Sequence, residues 1–77
     1  MTGGQLPVLR PSELVRALER MGFRLTRRSG GSHLRYAHPD GRRTTVSAHE
    51  GKTIGRGLLR KILRDVGIGP DELQDHL

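Results

Sequence analysis

The chain holds no cysteine and no tryptophan, and only one Phe and one Tyr among its 77 residues. Without thiols it has neither a disulfide framework nor a thiolate zinc site, and a reducing compartment suits it; the expected location is the cytoplasm. With so few aromatics, the core must be small and built from Leu, Val and Ile. No apolar run is long enough to span a membrane, and the first ten residues hold no apolar signal core. Acidic residues are scarce as well: 8 Asp and Glu face 14 Lys and Arg, for a formal net charge of +6. All but two of those 14 cations are Arg, whose planar fork matches phosphate. The functional reading is a polyanion partner; the plain one is genome composition or thermal adaptation.

The length suits one small domain with little stability to spare. Residues 1–10 are aperiodic and contain glycine, so they read as a flexible leader; residues 11–77 read as the domain. Pro11-Ser12-Glu13 opens a helix that Ser12 could cap, with Leu14, Val15, Leu18 and Met21 as its apolar stripe and Gly22 as its stop. Phe23 to Arg28 alternates with period two, which predicts a strand with Phe23 and Leu25 inward and Arg24 and Arg28 outward. Ser29-Gly30-Gly31-Ser32 reads as a hairpin loop into a second strand from His33 to Ala37. Pro39-Asp40-Gly41 turns the chain into a third strand, Arg43 to Ser47. After a polar loop, Leu58, Leu59, Ile62, Leu63 and Val66 mark a second helix that Thr53 could cap and Gly67 ends. Pro70, followed by Asp71 and Glu72, starts a short last helix containing Leu73 and Leu77. The order is α-β-β-β-α with a terminal turn, an α+β fold in which both helices cover one face of an antiparallel sheet.

Strand alternation puts His33, Arg35 and Ala37 on one face and Leu34 and Tyr36 on the other. With Leu34 and Tyr36 buried, His33 stands exposed beside Arg35. Histidine is suited to proton transfer near neutral pH and arginine to holding phosphate. RNA carries its own nucleophile, the 2′-hydroxyl. Cutting it needs only a group to take that proton, a group to protonate the leaving oxygen, and cations for the charge between them. His33 is the candidate base or acid, with Arg24, Arg28, Ser32, Arg35 and Lys52 as candidate RNA contacts. The plain alternative is an exposed strand histidine without a task. His38 reads as a turn residue and His49 as a loop residue. A metal site of His33, His38 and His49 would lack thiolates and facing carboxylates, so no metal or other cofactor is expected.

Several blocks then fall in a particular order. Leu14-Val15, Leu18-Glu19 and Met21-Gly22-Phe23 are followed by Gly31-Ser32-His33 and by His38-Pro39-Asp40-Gly41-Arg42-Arg43. Thr44-Thr45-Val46 comes next, and Arg56-Gly57-Leu58-Leu59-Arg60-Lys61-Ile62-Leu63-Arg64 with Val66-Gly67-Ile68 closes the set. This series, from about Ser12 to Leu73, resembles the HicA-type (YcfA-like) toxins. The resemblance implies a fold like the double-stranded RNA-binding domain and an endoribonuclease that cleaves mRNA. It also implies a HicB-type antitoxin protein as partner and a catalytic role for His33. The chain departs from the family pattern at Ser47, where a proline is usual, and at Leu58, where a threonine is usual. Two other functions share the same features: a non-catalytic RNA-binding domain, and a module whose open sheet face docks a protein.

Overall fold

A computed structural model describes residues 6–48 and 52–77. The order is α1 (Pro11–Arg20), β1 (Arg24–Ser29), β2 (His33–Ala37), β3 (Arg43–Ser47), α2 (Arg56–Val66) and α3 (Pro70–Gln74). The three strands form one antiparallel sheet in the order β1-β2-β3. The α-β-β-β-α fold expected from the sequence is therefore the observed one.

The helices bury most of the stripes their spacing predicts, but Val15, Met21 and Leu58 are only half-buried, and Leu77 lies beyond the end of α3 and is exposed. Leu14, Ala17 and Leu18 of α1 and Leu59, Ile62, Leu63 and Val66 of α2 are buried, together with Leu73 of α3. They meet Tyr36 and Val46 of the sheet, and Phe23 fills the corner between α1 and β1. Gly22 ends α1 at φ +99°, and the Phe23 N–H reaches back to the Leu18 carbonyl at 3.0 Å. Gly67 ends α2 in the left-handed region, its N–H on the Leu63 carbonyl.

The helix starts differ from expectation. Pro11 is the first residue of α1, so Arg10 takes the capping position and Ser12 lies inside the helix. The Glu13 carboxylate accepts the Arg10 N–H at 2.8 Å, which satisfies that donor as a capping Ser would have done for another. Gly55, not Thr53, precedes α2, with no side-chain cap. The segment before α1 is not all leader: Leu9 is buried, and its carbonyl accepts the Ile54 N–H at 2.7 Å.

The first strand also departs from the expected alternation. Leu25 pairs with Tyr36, but the next pair is Arg27 with Arg35, so Thr26 is an extra residue. The Thr26 hydroxyl bonds the Arg35 carbonyl at 3.3 Å across this bulge. Beyond it, Arg28 pairs with Leu34 and turns to the helix side, while Arg27 takes the open side. Leu25, expected in the core, remains 42% exposed because the helices cover β2 and β3 and leave β1 uncovered.

Candidate active site

The sheet register builds the open face row by row. Ser29, His33 and Ser47 are cross-strand partners at one end. Arg27, Arg35 and Thr45 form the middle row, and Arg24, Ala37 and Arg43 the far row. His33 is thus central in its row, flanked by two serine hydroxyls, and is exposed as the sequence predicts. No carboxylate and no large apolar side chain occupies any of the nine positions.

Local chemistry places the imidazole. The hairpin between β1 and β2 needs positive φ at Gly30 (+61°) and Gly31 (+74°), conformations that glycine adopts without strain. Nδ1 of His33 lies 3.8 Å from where a Cβ on Gly30 would stand, so the ring leans back over this turn. Ser32, half-buried in the loop, holds the end of β3 through its carbonyl, which accepts the Ala48 N–H at 2.7 Å. Among the described residues, His33 has no side-chain hydrogen bond, and none of their carboxylates orients it as in a catalytic triad.

Of the residues picked from the sequence, Arg24 and Arg35 share the face of His33, and Ser32 lies beside it in sequence. Arg28 does not share that face, because the Thr26 bulge turns it over. It lines a groove between α1 and β1 with Lys52, over a floor that includes Val15, Leu25, Leu34 and Tyr36. Burial pushes the Tyr36 phenol up, the nearby Glu19 carboxylate adds to this, and Arg28 works against both. Arg27, Arg43, Ser29 and Ser47 were not picked as site residues. The alternation of β3 already put Ser47 on the His33 face, but Arg27 depends on a bulge that no Gly or Pro announces. Arg27, Arg35, Thr45 and Arg43 line one shallow depression, bordered by Lys61 and Asp65 of α2.

His38 is apart from this face, at the turn. Its ring packs edge-on against Phe23 with centroids 5.1 Å apart, and its Nδ1 accepts the Asp40 N–H at 3.1 Å. The Asp40 carboxylate lies 3.0 Å from the same nitrogen, a contact that would need a proton there, so the two bonds belong to different protonation states. His49 lies outside the described residues. Among the described residues, no cluster of three potential metal ligands occurs.

The family of the HicA toxin of bacterial toxin–antitoxin systems matches residues 11–68, which span α1 through the end of α2 and just beyond. The chain belongs to that family and is, in that role, a toxin with a cognate antitoxin. None of the curated proteins compared with the chain matches it. No helix of the described residues is long and apolar enough to cross a membrane.

Proposed function

We propose that the chain is an endoribonuclease that cleaves mRNA by acid–base catalysis at His33, and that a HicB-type antitoxin blocks it. The observation that carries this reading is an exposed imidazole at one end of a face of serines and arginines, in a member of a toxin family. The 2′-hydroxyl attacks the adjacent phosphorus, the P–O5′ bond breaks, and a 2′,3′-cyclic phosphate and a 5′-hydroxyl result. His33 moves a proton at one of the two oxygens. Arg35, Arg24 and the other open-face cations stabilise the charge gathering on the phosphate oxygens. With one imidazole assigned to the transfer and no orienting carboxylate among the described residues, turnover is slow.

The antitoxin covers His33. The open face offers a partner charge and hydroxyls rather than apolar anchors, so acidic residues form the contact, and it assembles fast and weakens with salt. An RNA-binding domain without catalysis would share the arginines but would need nothing from His33.

The test is the product and its requirements. Single-stranded RNA should be cut in excess chelator to fragments ending in 2′,3′-cyclic phosphate, and DNA of the same sequence should remain whole. A strict need for added metal, or fragments with a plain 3′-hydroxyl, would contradict the mechanism.

A further inference from the structure

The open face is lopsided about His33. All four of its arginines lie on one side, along β2 towards Ala37: Arg27 and Arg35 in the next row, Arg24 and Arg43 in the row after. On the other side, among the described residues, stand the glycine hairpin and no arginine. Successive rows are two residues apart, about 6.7 Å, and neighbours within a row are about 4.8 Å apart. That row spacing matches the scale on which a stretched single strand repeats its phosphates. All four arginines are exposed, and among the described residues none is in an ion pair. Arg27 stands directly opposite Arg35, a like-charge pair that costs stability unless an anion lies between them. Among the described residues, two other cations are in ion pairs: Arg42 with Asp40 and Lys61 with Asp65.

Resting on the ribonuclease reading, we propose that the open face is a one-sided track for a single RNA strand. The phosphate to be cut sits at His33, and the next two phosphates on one side only are held by the arginine rows. The track is three strands wide, about 10 Å, which fits one nucleic-acid strand and not the two backbones of a duplex. The footprint of the enzyme on its substrate is accordingly short and asymmetric, and sequence choice near the cut falls to the nucleotides on the arginine side.

The experiment uses uncleavable 2′-O-methyl oligonucleotides, so it reads the track whether or not the chain cuts RNA. The chain has no cysteine. A His33→Cys variant therefore carries a single photo-crosslinker at the position of the imidazole. With an end-labelled tetranucleotide, crosslinks should fall on one terminal nucleotide. In a second arm, Arg27→Gln and Arg43→Gln should each weaken binding of a longer 2′-O-methyl strand about tenfold. Each should also make the slope of log affinity against log salt shallower by about 0.7. Arg56→Gln, exposed on α2 and away from the track, should change neither. Crosslinks spread evenly over the tetranucleotide, or wild-type binding by both Arg27→Gln and Arg43→Gln, would overturn the track. One-sided crosslinks from a chain that cuts no RNA would uphold the track and refute the ribonuclease reading.

Discussion

At the scale of single residues, glycine conformation governs the turn into the sheet and its first hairpin. Gly22 sits at φ +99°, and a Cβ there would meet Nε2 of His38 at 3.0 Å. Gly22→Ala should therefore destabilise the fold by about 1–3 kcal/mol, read as a lower denaturant midpoint at unchanged slope. At Gly30 the space beside the backbone is open enough for a methyl group, but φ is +61° and the nearest atom is Nδ1 of His33. Substitution at Gly30 thus bears on the imidazole as well as on the turn. Asp65 is the chief charged anchor behind the sheet. Burial works to raise its pKa, but hydrogen bonds from Lys61 and the Thr44 hydroxyl and the nearby Arg64 outweigh it, and the net shift is downward. A carboxyl held below its unfolded value contributes stability above the ordinary aspartate range and loses it as pH falls through the folded value. Below about pH 4 the wild type should lose stability more steeply than Asp65→Asn, measured by denaturant titration across pH. Asp65→Ala leaves the buried Thr44 hydroxyl without its 3.0 Å partner and should cost about 1–3 kcal/mol at neutral pH.

At the scale of elements, the short α3 matters more than its five residues suggest, because Leu73 is fully buried. Leu73→Ala should cost about 2–5 kcal/mol, a large share of what a domain this small has, and circular dichroism melting would show it. This helix was legible in the chain because Pro70, two acids and one leucine mark it. The two long helices and the order of the strands were legible for the same reason: their apolar periods are clean, and glycines stop them. The inward turn of Leu34 and the exposure of His33 followed from period-two alternation, which holds throughout β2. It fails in β1. Thr26 makes a bulge through ordinary backbone pairing, and every residue after it changes face. Arg28 thus went to the groove side and Arg27 to the His33 face, a swap that local pattern does not reveal. Leu9 was hidden differently. Its burial depends on a bond to Ile54, far along the chain, and no periodicity surrounds it.

At the scale of the whole molecule, the division of labour follows from the sheet. The helices occupy one face, where Tyr36, Thr44 and Val46 are buried, and the other face is left to His33 and the arginines. On the proposed reading, a face so charged attracts RNA and an acidic partner alike, and the antitoxin competes with substrate for the same surface. In the proposed scheme, raising salt should weaken RNA binding and antitoxin binding together, while changes confined to the groove of Arg28 and Lys52 leave cleavage intact. The central claim is narrower: catalysis passes through one side chain. The most direct measurement compares RNA cleavage by the antitoxin-free wild type and by His33→Ala, with circular dichroism confirming the same fold in both. His33 is exposed and makes no side-chain hydrogen bond among the described residues, so its removal should leave stability nearly unchanged. The account predicts a loss of at least about 100-fold in the cleavage rate, the share that a positioned acid or base supplies. Cleavage by His33→Ala at the wild-type rate would contradict it.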